Sequence, residues 1–292
     1  MKIWDLPNTE QSAVNFFIQK EILPATRFCP NGHSMNLYFP NTKAPLWSCR
    51  QANCRVSSSL RSGTWFDNSR IPFVTALRFI YCWSNEMTSI KFCEHQLDMS
   101  HNTTVDWCSY MREVCFLKLE QNPNKIGGPN TIVEIDESMF TRRKNNAGRI
   151  LPQQWVFGGI CRETRERFMV AVPDRSAETL VQTIKDKIAE GTTIYSDCWR
   201  GYPTQKLEEA GFEHLRVNHS LNFVDPEMGA HTQTVERMWG SAKIRNKRQR
   251  GTARHHLDEY MIEFLWRCGT NDPFNDILTD ISNVFPPKNQ ML

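Results

Sequence analysis

The chain has 292 residues, enough for about two domains at ~150 residues each. Its 40% hydrophobic content supplies a core, while the lack of a signal-peptide pattern and of any apolar run of membrane-spanning length argues against secreted and membrane classes, so a soluble intracellular protein with no membrane partner is expected. A formal charge of +3, from 35 basic and 32 acidic residues, is too small to mark a nucleic-acid binder by itself, and local charge distribution has to decide.

Residues 1–25 read as a helical lead-in of partial order, with Val14, Phe16, Phe17, Ile18, Ile22 and Leu23 in a loose amphipathic pattern before Pro24. Residues 26–70 read as a zinc-ribbon-like segment. Cys29-x3-His33 is followed, fifteen residues on, by Cys49-x4-Cys54. Paired ligands flanking a longer loop suit one structural Zn²⁺ held by three thiolates and an imidazole. Such an ion adds folding energy that a small, turn-rich segment lacks. Free thiols beside a surface histidine are the alternative.

Residues 71–122 read as a helical domain. Phe73 to Trp83 carries a continuous apolar face, and Ser89 to Leu97 and Asn102 to Leu117 form two more amphipathic stretches parted by Asp98-Met99-Ser100-His101. Helix, tight turn and helix match a helix-turn-helix, whose second helix, opening with Asn102, Thr103 and Thr104, would enter a DNA major groove. A plain three-helix bundle fits the periodicity equally well. The run Asn122 to Asn130, rich in Pro, Gly and Asn, is the strongest domain boundary.

Residues 130–270 alternate in a recognisable order. Thr131 to Asp136 is a β-branched strand ending in a carboxylate, followed by a basic turn, strands Trp155 to Cys161 and Glu166 to Val172, and a helix from Ser176 to Ala189. Strand Ile194 to Asp197, helix Thr204 to Ala210, strand His214 to Asn218 and a long helix from His231 past Trp239 complete it. Residues 271–292 are left as a C-terminal tail. This order describes an α/β fold: a ribonuclease-H-like mixed-sheet catalytic domain preceded by a zinc-ribbon-like segment and a helix-turn-helix domain. Its first and fourth strands lie side by side and place Asp136 beside Asp197, and the helix carrying Glu236 crosses the same edge.

Three converging acids repel one another unless cations neutralise them, and hard divalent ions suit carboxylate oxygens. A pair of Mg²⁺ or Mn²⁺ ions about 3.5 to 4 Å apart can activate a nucleophile and stabilise a leaving oxygen at phosphorus. Any one of these acids alone is more often a solvated strand-end or helix-surface residue; the ordered trio is what points to metal. Lys243 shares a helix face with Glu236 and can meet a phosphate. The basic stretches Arg142, Arg143 and Lys144, and Lys243, Arg245, Lys247, Arg248 and Arg250, read as DNA backbone contacts, with a solvated helix face or a nuclear-import signal as alternatives. Trp199 and Arg200 follow Asp197 directly, where an indole can stack on an unpaired base or pack in the core, and a guanidinium can hold a phosphate. His219 is a candidate to position water or the scissile phosphate, or an ordinary loop histidine. Cys198 has no base partner, which rejects a thiol nucleophile.

Four stretches resemble the Merlin transposases, which belong with a group of bacterial insertion-sequence DDE enzymes: Gln154 to Ile160, Val172-Pro173-Asp174-Arg175-Ser176, Gly191 to Trp199, and Val217 to Ser220 with Gly229 to Glu236. The resemblance implies a transposase with Asp136, Asp197 and Glu236 as metal ligands. Water would cleave at the transposon ends, and the freed 3′-hydroxyl would attack target DNA. It further implies terminal inverted repeats and target DNA as double-stranded partners, recognition of the repeats by the amino-terminal segments, and a homodimer or larger assembly on DNA. Gly32 departs from the group's C-x2-C pattern. A nucleus is the expected location, or the cytoplasm in a bacterial host. A domesticated DNA-binding regulator without catalysis and a structure-selective nuclease are the alternatives.

Overall fold

A computed structural model describes residues 2–41, 44–121, 123–140, 154–199, 201–217, 231–248 and 256–289, with the backbone alone for 245–248. The chain divides into two compact units, residues 1–120 with 270–292, and residues 121–269.

In the first unit Thr9 caps helix α1 (Glu10–Gln19), exchanging hydrogen bonds with Ser12. The helix buries Ala13, Val14 and Phe17, and the Phe17 ring packs edge-on to Phe66 at 4.8 Å. Glu10 accepts hydrogen bonds from the backbone N–H of Phe73 and Val74 at 2.9 and 3.1 Å, satisfying the open start of helix α2 (Phe73–Ser84), whose own cap residue Pro72 offers no side-chain acceptor. The lead-in expected to be partly ordered is therefore a packed helix. Three short antiparallel strands follow α1: β1 (Asn36–Tyr38), β2 (Leu46–Ser48) and β3 (Ser57–Ser59).

Helix α3 (Ile90–Leu97) begins at Ser89, whose hydroxyl accepts from Phe92 N–H, and ends at Asp98 in a left-handed conformation. Helix α4 (His101–Glu120) starts three residues later. The expected helices are present with their turn. The segment read as a C-terminal tail is not one: residues 273–284 form a helix of this unit, which packs against α2 and α4 and pairs Asp280 with Lys118 at 3.1 Å. Phe274, Ile277, Leu278 and Ile281 are its buried stripe, at helical spacing, behind an Asp272 cap.

The second unit is a five-stranded sheet in the order β6-β5-β4-β7-β8. Strands β4 (Ile132–Met139), β5 (Trp155–Cys161) and β6 (Arg167–Val172) run antiparallel, and β7 (Thr193–Asp197) and β8 (Glu213–Val217) run parallel to β4. Helices α5 (Ala177–Lys187) and α6 (Thr204–Glu208) cover one face, where Val133, Ile135, Phe157 and Ile194 meet Leu180, Ile184 and Leu207. On the other face lie α7 (Gln233–Arg248) and α8 (Leu257–Cys268), with Val156, Ile160 and Met169 against Val235, Met238, Trp239, Leu257 and Met261. The first and fourth strands of this unit are neighbours, as the element order demands. The sequence pattern alone did not separate α8 from the helix before it. Helix α9 is the Pro273–Val284 segment of the first unit.

Candidate active site and metal centre

Alternation along β4 divides its side chains between the two faces. Val133, Ile135, Glu137 and Met139 point one way; Glu134, Asp136 and Ser138 point to the face under α7. In the parallel register Ile132 stands beside Thr193 and Glu134 beside Tyr195, where the pairing ends; alternation carries Asp136 and Asp197, each two residues further along its own strand, to that same face. Glu236 lies in the first turn of α7. Burial raises the Asp136 carboxyl to about 7, with the charges of Glu137, Asp197 and Glu236 adding to the rise, so the three acids share one electrostatic neighbourhood. Their ligand atoms are not drawn into a cluster as tight as a single-ion cage.

Two features hold α7 on the sheet at this point. Glu134, fully buried, accepts hydrogen bonds from the Thr234 and Val235 N–H groups at 2.8 and 3.0 Å, occupying the positive end of the helix. Its other oxygen takes Arg162 Nε at 2.6 Å, and Arg162 Nη2 donates to His231 O at 2.7 Å while its guanidinium stacks on Tyr195 at 4.7 Å. The second feature is Gly158, the β5 partner of Asp136. A Cβ there would meet the Trp239 ring at 2.8 Å, so α7 sits as close as it does because that position has no side chain.

Around Asp197 the chain is equally fixed. Its Oδ1 accepts the Trp199 N–H at 2.9 Å. Ser196 Oγ donates to the Asp197 carbonyl and pairs with His214 Nε2 at 2.9 Å, while Thr204 Oγ1 meets His214 Nδ1 at 2.9 Å. Burial, with Arg216 nearby, lowers His214 to about 4, so it serves as a neutral link. A fourth acid, Glu137, escaped the sequence reading. Burial raises its pKa against the opposing effect of Tyr202, and Asp197 adds to the rise. Neither Glu137 Oε1 nor the Tyr202 hydroxyl has a hydrogen bond of normal geometry.

Residues 127–269 match the ISXO2-like transposase domain family. This segment is an ISXO2-like transposase domain. An uncharacterized transposase-like protein of Haemophilus influenzae is 28% identical over 105 residues, 36% of this chain and 82% of that relative. Among solved structures, a simian T-cell lymphotropic virus intasome is similar at 13% identity and a TM-score of 0.30 over 56% of this chain, and the match spans 57% of that chain. The HTLV-2 integrase catalytic core domain in complex with magnesium is similar at 13% identity and a TM-score of 0.29, over 49% of this chain and 86% of that one.

Within the transposase domain Lys243 hydrogen-bonds Ser138 Oγ, two residues along β4 from Asp136 on the same face. Trp199 is 37% exposed, and Arg175 lies against one of its faces. Arg142, Arg143, Lys144, Arg200, His219 and Arg250 lie outside the described residues, as do the side chains of Arg245, Lys247 and Arg248. In the first unit Asn102 is exposed and Thr103 partly so, but Thr104 is fully buried with its hydroxyl on Ser100 O. Thr104 is a packing residue and is corrected from the DNA-facing set.

The Cys/His set does converge. Ligand atoms of Cys29, His33, Cys49 and Cys54 all lie within 4.8 Å of one another, with Cys29 and Cys54 Sγ atoms 3.6 Å apart and His33 Nδ1 3.5 and 3.8 Å from the sulfurs of Cys29 and Cys49. Those spacings suit a tetrahedron with Zn–S bonds of about 2.3 Å. Two tight turns build it: Gly32 N–H donates to Cys29 O and Cys54 N–H to Gln51 O, and Gly32, at φ +78°, takes a conformation that a cysteine resists. His33 and the Val56 backbone draw the Cys54 thiol down to about 6. The Gln51 backbone works to lower Cys49, but burial and the neighbouring thiols outweigh it and leave that pKa raised.

Three outcomes follow from these sites. Glu134→Ala leaves Arg162 and the α7 start unpaired and should cost about 3–5 kcal/mol in chemical denaturation. Asp136 ionises near 3.8 when unfolded and at about 7 when folded, so the native state holds the extra proton between those values. Stability of the metal-free protein should therefore fall as pH rises from about 4 to about 7 and level off above, and the fall should vanish in Asp136→Asn when denaturation midpoints are compared across pH. Elemental analysis should find one zinc per chain in the purified protein and none in Cys49→Ser.

Proposed function

We propose that the chain is a DDE transposase, which binds terminal inverted repeats and carries out cleavage and strand transfer in cut-and-paste transposition. The observation that carries this reading is that Asp136 and Asp197, each two residues past the last paired position of neighbouring parallel strands, share with Glu236 of α7 one electrostatic neighbourhood. The carboxylate donors suit two Mg²⁺ or Mn²⁺ ions, which supply the charge for a water or 3′-hydroxyl to attack phosphorus and for the departing oxygen to leave.

The protein's own contribution is positional. Asp136 gives up a proton held near neutral pH, so it is ready to change charge when a cation arrives. Asp197 is aimed by the Trp199 N–H and the Ser196–His214 link, and Glu236 by the clamp of Glu134 on α7. Lys243 stands on the same face, where a phosphate oxygen can replace Ser138 as its partner. In the first unit one zinc ties the Cys29–His33 and Cys49–Cys54 turns, and α3 and α4 serve as the helix-turn-helix, with Asn102 and Thr103 as its outward residues. Double-stranded ends and target DNA are the partners, and a dimer or larger assembly joins two ends.

Incubating the protein and Mg²⁺ with labelled ends and a target plasmid should give joined product. Asp136→Ala, Asp197→Ala and Glu236→Ala should each lose cleavage while still binding ends. Retained cleavage in all three would remove the proposed site, and cutting with no joining would make the protein a nuclease.

A further inference from the structure

The segment Val172-Pro173-Asp174-Arg175-Ser176 takes no part in the chemistry above, yet it brings a cation within electrostatic reach of Glu137 and against Trp199, two residues past Asp197. Arg175 lies between the end of β6 and the start of α5. Its guanidinium carbon is 3.9 Å from the ring centre of Trp155 and 4.3 Å from that of Trp199. Trp155 opens β5 and Trp199 follows Asp197 by two residues, so three separate parts of the chain meet around one side chain.

We propose that Arg175, held between the two indoles, binds a DNA phosphate beside the carboxylates; the identification of the strand as transposon or target DNA rests on the function proposed above. A guanidinium is weakly hydrated on its faces and carries five donors around its rim. The rings occupy the faces. Among the described residues the rim makes no hydrogen bond and no ion pair, although Arg175 is near enough for its charge to lower the Glu137 pKa. Arg175 itself is partly exposed, so the rim's donors are open to solvent and can exchange water for an anion, and planar N–H pairs match phosphate oxygens.

The surroundings favour a polynucleotide phosphate. Arg175 acts on Glu137 and lies against Trp199, whose N–H holds Asp197, so a fixed cation there offsets the repulsion that these two carboxylates exert on a phosphodiester strand. A long side chain already ordered by two rings gives up little further freedom on binding. Trp155 and Trp199 act as positioning residues for the guanidinium.

The test is anisotropy of a labelled oligonucleotide, single-stranded or duplex, with the full chain in Ca²⁺ over a range of salt. Arg175→Gln keeps a planar group between the rings and removes the charge; Arg175→Lys keeps the charge and loses the rim. The glutamine variant should bind about tenfold more weakly and reduce the slope of log affinity against log salt by about 0.9 on duplex or 0.7 on single strands. The lysine variant should keep the slope and recover only part of the affinity. Equal affinity and slope in wild type and Arg175→Gln, or no binding by wild type, would overturn the proposal. Full displacement of the oligonucleotide by inorganic phosphate at matched ionic strength would overturn the polynucleotide assignment. Binding that depends on Arg175 in a protein that never cleaves or joins ends would leave this site standing and remove the transposase reading.

Discussion

One buried carboxylate joins the two elements on which the acid cluster depends. Glu134 stands two residues before Asp136 on β4, and its oxygens take up the first N–H groups of α7, the helix that carries Glu236. A fully buried anion is tolerated there because Arg162 and the helix start compensate it from two sides. The same bonds set where α7 begins and which turn faces the sheet. Gly158 then lets the helix approach until the Trp239 ring touches the strand. Strand register places Asp197, and this clamp places Glu236, so none of the three acids owes its position to a loop.

The two sets of metal-ligand candidates differ in how strongly the protein itself gathers them. Sulfur and imidazole ligands of the first unit lie at mutual distances that suit one borderline-soft ion, and their thiols are pushed apart in pKa, Cys54 low and Cys49 high. The acids of the transposase domain are held by backbone register and a helix clamp, where burial first and the neighbouring charges second raise Asp136 to about 7, and they are gathered more loosely than a single-ion cage. Oxygen ligands, adjustable spacing and a proton that leaves near neutral pH are the properties of a site that hard divalent ions complete.

Local signals were legible in the sequence and non-local ones were not. The Cys29–His33 and Cys49–Cys54 turns could be read because each is a short loop, and β-branched runs ending in Asp136 and Asp197 marked strand ends. In Val133-Glu134-Ile135-Asp136-Glu137, however, nothing local tells the clamp from the ligand or from the acid on the opposite face; that division appears only once α7 and Tyr202 are in place. Arg175 was equally silent, since its two tryptophans lie 20 residues before it and 24 after it. The stripe Phe274, Ile277, Leu278 and Ile281 had helical spacing, and its position at the end of the chain disguised it. Thr104 looked like an exposed helix start because its burial comes from the packing of α4.

The central claim is that Asp136, Asp197 and Glu236 hold a pair of divalent cations. Anomalous diffraction from crystals grown with Mn²⁺ and end DNA tests it most directly. The account predicts two peaks about 3.5 to 4 Å apart, with Asp136, Asp197 and Glu236 all among the ligands. A single peak, or peaks that leave any of the three acids uncoordinated, would contradict it.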